Sequence, residues 1–183
     1  EFRRVLFRSV DSSSVESSSV KNPEFIQMTD HMIPLNIPNM MRGVSSIYYV
    51  NMERCVDRRN HIESLLEREE FSGIPKVRIE GVDGTAADFS VEAHFSFYGG
   101  SVKNPRMMPR EYACTLSHIK AIQQFVEDSY CSAWGVDDNA VGLVVEDDLS
   151  LEFMPYWRCD ISTMIRERAP RDWDILQLSY ILF

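Results

Sequence analysis

The sequence predicts an α/β domain with a mostly parallel sheet flanked by helices, and three observations carry that prediction. Strand-like and helix-like segments alternate four times between residues 46 and 178. The run Val141-Gly142-Leu143-Val144-Val145 is apolar without a break, as in a strand buried on both faces. The acidic triplet Glu146-Asp147-Asp148 follows it at once, at the strand end where ligands bind in such sheets.

Each element has its own reason. Residues 1–43 are expected to lie outside the folded domain, which is expected to span 44–183. The string Arg4-Val5-Leu6-Phe7-Arg8-Ser9 looks like the translation of a sequencing-library adapter and is excluded from the predicted fold. Residues 10–19 hold six Ser and too little apolar area to offset the entropy of ordering, so they read as a flexible linker. Residues 20–43, with three Pro and four Met, show no period and read as an irregular, packed lead-in.

Ser46-Ile47-Tyr48-Tyr49-Val50 is β-branched and aromatic, hence a strand. Asp57 offers an N-cap, and Ile62, Leu65 and Leu66 follow at helical spacing until Gly73 and Pro75. Val77 and Ile79 alternate in a second strand that ends in the turn signal Gly81-Val82-Asp83-Gly84. Residues 85–108 are loop-like. After Pro109, Tyr112, Leu116, Ile119, Ile122 or Gln123, and Val126 fall on one helical face. Residues 160–168 suit a short helix that Pro170 breaks, and Asp174-Ile175-Leu176-Gln177-Leu178 reads as a buried strand. The chain stops five residues later with nothing to cover that strand, so the domain is expected to be truncated at its C-terminus.

Composition narrows the function. Lys plus Arg is 19 against 28 Asp plus Glu, a net charge of −9 that disfavours nucleic acid and anionic membranes as partners. No apolar run approaches the ~20 residues that span a bilayer. Four Cys without a C-x-x-C pair argue against a zinc knuckle or a disulfide scaffold. G-x-G-x-x-G, P-loop, H-E-x-x-H and G-x-S-x-G motifs are all missing, which removes the commonest dinucleotide, NTPase, zinc-protease and esterase readings.

The carriers of chemistry are few. From Ala121 to Trp157 there is no Lys or Arg but eight acids. Most read as solvated surface, whereas the triplet Glu146, Asp147, Asp148 directly ends an apolar strand. Three adjacent carboxylates are costly to ionise together without a cation, and hard oxygen ligands favour Mg²⁺ or Mn²⁺. An acidic turn with Asp147 as an N-cap is the bland alternative. His118, in the helix after Pro109, reads either as a donor to phosphate or sugar oxygens or as a locally bonded helix residue. Arg58 and Arg59, just past a strand end, read either as a phosphate or base contact or as a solvated first turn.

Four blocks in order then resemble glycosyltransferase family 25, the lipopolysaccharide β-galactosyltransferase-like enzymes with collagen galactosyltransferases as relatives. They are Ile47-Tyr48-Tyr49-Val50-Asn51-Met52 with Asp57-Arg58-Arg59; Arg78-Ile79-Glu80-Gly81-Val82-Asp83-Gly84; Arg110-Glu111-Tyr112-Ala113-Cys114-Thr115-Leu116-Ser117-His118; and Leu143-Val144-Val145-Glu146-Asp147-Asp148-Leu149. Asp172-Trp173-Asp174-Ile175-Leu176 is similar to a further strand of the family. Arg110 and Ala113 stand where the family usually has Gly, Gly81 where it has Ala, and Met52 where it has Leu.

The resemblance implies a GT-A-like, Rossmann-like fold and transfer of a hexose, galactose favoured, from a UDP-sugar to a hydroxyl of a glycan or protein acceptor. It implies donor contacts from Asn51, Met52, Arg58, Asp83, Gly84, Ser117 and His118. It also implies Mn²⁺ or Mg²⁺ on Glu146, Asp147 and Asp148. The resemblance assigns no catalytic base among these residues, and the family's domain continues past the point matching Phe183. Two rivals stand beside this reading: a non-catalytic relative acting as a binding module, and an unrelated Mg²⁺-dependent phosphotransferase.

Overall fold

The computed structural model describes residues 4–8, 39–91, 108–130 and 139–178. The strands are β1 (Arg4–Arg8), β2 (Ser46–Asn51), β3 (Lys76–Glu80), β4 (Val141–Glu146) and β5 (Ile175–Gln177). The helices are α1 (Val56–Leu66), α2 (Pro109–Tyr130) and α3 (Ile161–Arg168). The sheet order is β3-β2-β4-β1-β5. β2 pairs in parallel with both β3 and β4, with Tyr48 opposite Val77 on one side and Val144 on the other. β1 runs antiparallel to its neighbours β4 and β5, so it alone opposes the common direction. The predicted mostly parallel α/β sheet is the one observed.

Alternation along the strands distributes the core to both faces. Ile47 and Tyr49 of β2 join Leu143 and Val145 of β4 on one face, under Ile62 and Leu66 of α1 and Ile161 of α3. Tyr48 and Val144 point the other way, against Ala121 and Phe125 of α2. The rings of Tyr48 and Phe125 meet edge to face, with centroids 6.1 Å apart. β4 is buried on both faces from Val141 to Val145, as its unbroken apolar run requires.

Several local expectations shift. Cys55 holds the N-cap position of helix α1 without a side-chain capping bond, and Asp57 sits inside its first turn. The buried stripe of α2 includes Ala113, Ser117, Ala121 and Phe125 as well as Tyr112 and Leu116, whereas Val126 is exposed. Small residues at four-residue spacing let the helix lie close to the sheet, a signal that counting large apolar residues does not register. β5 is an edge strand with an exposed Ile175, not the expected buried one, because β1 is its neighbour in the sheet and Trp173 instead carries the burial. The loop at residues 92–107 and the turn at 131–138 lie outside the described residues, as does the Ser-rich stretch.

Two stretches before residue 44 join the described fold. Arg4–Arg8, read as a string to be excluded, is the strand between β4 and β5. Its centre is apolar and β-prone, which suits a slot whose two edges offer unpaired backbone groups. Met40 and Met41, read as lead-in, are buried in the larger core cluster. The turn they belong to docks on α3: the carbonyls of Met40 and Arg42 accept from the amides of Ile161 and Ser162 at 3.1 and 2.8 Å. Those amides open a helix and have no partner within it. Gly43 completes the turn at φ +94°, where a side chain would meet Ser162 Cβ at 2.8 Å.

Candidate functional site

The strand order creates the site. From β2 the chain moves to β3 on one side, then crosses to β4 on the other. The carboxyl ends of β2 and β4 therefore flank a point where the winding reverses, and a crevice opens there. Asn51 ends β2, and Glu146 ends β4. The cleft at these ends has a volume of about 230 Å³ and is lined by the ends of β2 and β4, Arg58 of α1, the turn after β3 and the first half of α2.

Asn51 is the keystone of the crevice, at 1% exposure. Its Nδ2 donates to Asp147 Oδ2 at 2.7 Å and to the Cys55 carbonyl at 3.1 Å. Arg78 Nε donates to its Oδ1 at 3.4 Å. The other Asp147 oxygen is paired with Arg58. A buried carboxylate needs such partners, and here they come from two other parts of the chain. Asp148, next along the turn, is more exposed, with an oxygen 4.0 Å from Arg58.

The opposite wall is the turn after β3. Asp83 accepts from the amide and hydroxyl of Thr85 at 2.9 and 2.7 Å and pairs with Arg54. These bonds, Thr85's first, lower the Asp83 carboxyl to a pKa of about 2. Gly84 is a spacer: a Cβ there would meet the Pro109 carbonyl and Arg110 Cα, both at 2.7 Å. Ser117 Oγ accepts from the Val82 amide at 2.8 Å and lies 2.8 Å from the Ala113 carbonyl, to which it donates, tying α2 to this turn.

The third wall is α2. His118 Nε2 lies 3.3 Å from Glu146 Oε1, and Cys114 Sγ lies 3.6 Å from the same oxygen. Cys114, His118 and Glu146 thus form a group whose three donor atoms lie within 4.8 Å of one another, a set able to hold a metal ion.

Of the predicted residues, Met52, Arg58, Asp83, Gly84, Ser117, His118, Glu146 and Asp147 line the cleft. Asn51 is buried behind it, and Asp148 stands at the turn beside Arg58. Arg54, Thr85 and Cys114 also line it without having been predicted as site residues, and so does Arg110, noted in the sequence only as a departure from the family's Gly. Arg54 lies 29 residues from Asp83, too far for any local pattern to link them. Cys114 carried a readable signal, since it and His118 sit four apart on one helical face.

A mostly parallel sheet with helices on both faces and a charged crevice at its switch point defines a Rossmann-like, GT-A-like α/β domain. Residues 44–155 match the family described as glycosyltransferase family 25 (LPS biosynthesis protein), and the chain belongs to that family. It is a glycosyltransferase by family, and the family implies a nucleotide-sugar donor and an acceptor. No curated protein and no solved structure matches the chain. Among the described residues, no helix is long and apolar enough to cross a membrane.

Proposed function

We propose that the chain transfers a hexose, galactose favoured, from a UDP-sugar to a hydroxyl of a glycan or protein acceptor. The observation that carries this reading is the meeting of Arg58, Asp83 and the Glu146-Asp147-Asp148 turn around one crevice. Guanidinium beside carboxylates suits a diphosphate that arrives with a divalent cation. In this reading Met52, Arg58, Asp83 and Gly84 border the uridine, and His118 faces the donor sugar. Asn51 and Ser117 act one step back: Asn51 holds Asp147, and Ser117 holds the turn that presents Asp83.

The donor set at the acidic turn fits Mn²⁺ or Mg²⁺. Glu146 and Asp148 are the ligands, while Asp147, engaged by Asn51 and Arg58, fixes the turn's orientation. When bound there, the ion supplies positive charge against the charge that develops on a departing diphosphate. The protein's own part is preorganisation: Arg58 is held by Asp147 before any donor arrives, so little reordering accompanies binding.

The test is a thermal melt of the chain with UDP, with and without Mn²⁺, beside Asp148→Ala. At a hundredfold excess over Kd, UDP with Mn²⁺ should stabilise the protein by about 2.7 kcal/mol, roughly 5–11 °C in Tm. Asp148→Ala should lose the Mn²⁺-dependent part. UDP binding with unchanged Mn²⁺ dependence in that variant would sink the assignment.

A further inference from the structure

We propose that Cys114, His118 and Glu146 form a second cation site that takes a borderline, thiophilic dication of the Zn²⁺ class, with its open position toward the cleft. The distances carry the argument. Tetrahedral zinc with ordinary bond lengths separates a sulfur and an oxygen ligand by about 3.6 Å, and a nitrogen and an oxygen ligand by about 3.4 Å. Cys114 Sγ and His118 Nε2 lie 3.6 and 3.3 Å from Glu146 Oε1. All three donor atoms fall within 4.8 Å of one another.

The scaffold is rigid where it needs to be. Cys114 and His118 are four apart on α2, so one helical face presents both. Glu146 closes the triangle from the end of β4, and β4 is buried along its length. Cys114 is not in a disulfide. All three residues line the cleft, which leaves a fourth side accessible to a water or an anionic oxygen, the arrangement of zinc sites that keep an exchangeable ligand.

The donor chemistry separates this site from the acidic turn. Sulfur and imidazole favour Zn²⁺ over Mg²⁺ or Mn²⁺, whereas carboxylate oxygens alone do the reverse. Glu146 is shared, but Asp148 belongs only to the turn and Cys114 only to this site. The inference does not rest on the donor assignment, and the two can fail independently.

The experiment is a Co²⁺ titration of the reduced, metal-stripped 183-residue chain, read by absorption. The expected spectrum has the intense visible bands of tetrahedral cobalt and a near-ultraviolet thiolate charge-transfer band, both displaced by Zn²⁺. Cys114→Ser should abolish the charge-transfer band, and His118→Ala should weaken binding by more than the roughly ten- to hundredfold typical of an outer-shell partner. Asp148→Ala should keep both bands even where Mn²⁺-dependent UDP binding is gone. A cobalt spectrum without the thiolate band, or one unchanged in Cys114→Ser, overturns the proposal.

A second measurement needs no variant. Zn²⁺ should slow alkylation of Cys114 by roughly tenfold or more, mapped by mass spectrometry, while Cys55 and Cys159 serve as internal controls. Equal alkylation of Cys114 with and without Zn²⁺ also overturns it.

Discussion

Asn51 shows how one side chain links fold to site. It ends a strand, is almost fully buried, donates from its side-chain amide to Asp147 and accepts from Arg78 at its side-chain oxygen. Asn51→Ala would leave Asp147, itself 4% exposed, short of a donor in a place water does not reach. Loss of one partner from such a group costs about 1–3 kcal/mol. Urea denaturation should show that loss, and Asn51→Asp should be worse because it sets a second carboxylate against the first. A variant as stable as the parent would mean that Arg58 alone suffices for Asp147. In the sequence, Asn51 is a polar residue after an apolar run that the family resemblance alone marks as a donor contact, and nothing there points to Asp147. Its partner lies 96 residues away, and contact at that separation exists only once β2 and β4 pair.

At the scale of elements, α3 shows capping, packing and pH response in one place. Asp160 caps it: one oxygen accepts from the Thr163 amide at 2.9 Å, the other from Arg42 at 2.7 Å. The Arg42 bond is the main reason that the Asp160 carboxyl falls to a pKa of about 2. A carboxyl depressed in the folded state stabilises the protein above its unfolded value near 3.8, and that contribution disappears as pH falls through about 2. Asp83 titrates over the same window. Stability should therefore decline between about pH 4 and pH 2. Asp160→Ala should cost about 1–2 kcal/mol at neutral pH and flatten part of the acid slope in a series of melts. An unchanged slope would show that the Arg42 contact is not maintained in solution. The sequence places Asp160 inside the helical stretch 160–168, not before it, and Arg42 gives no signal because it sits in a segment with no period. By contrast, α2 was legible as a helix and misread in its buried face, because Ala and Ser do not stand out in an apolar count.

For the whole molecule, the sheet order β3-β2-β4-β1-β5 makes β1 the bridge between β4 and β5. Deleting residues 1–9 should expose the β4 amides that face β1 to hydrogen exchange and release β5, while the pairing of β4 with β2 persists. Unchanged protection along β4 would mean that another segment fills the slot. The site at the carboxyl ends of β2, β3 and β4 does not touch β1, so UDP with Mn²⁺ should still shift the melt of a deletion variant that folds. By itself the sequence determined the α/β class, the strands β2, β3 and β4, and the acidic turn at the end of β4. Those properties are local: hydrophobic period, unbroken apolar runs and turn residues act within a few positions along the chain. Only the tertiary structure decided that Arg4–Arg8 enters the sheet, that Asp147 is held by Asn51 and Arg58, and that Cys114 and His118 meet Glu146. Each of these is a contact between residues far apart in sequence, set by the strand order and the register of a parallel pair, which no short-range pattern encodes.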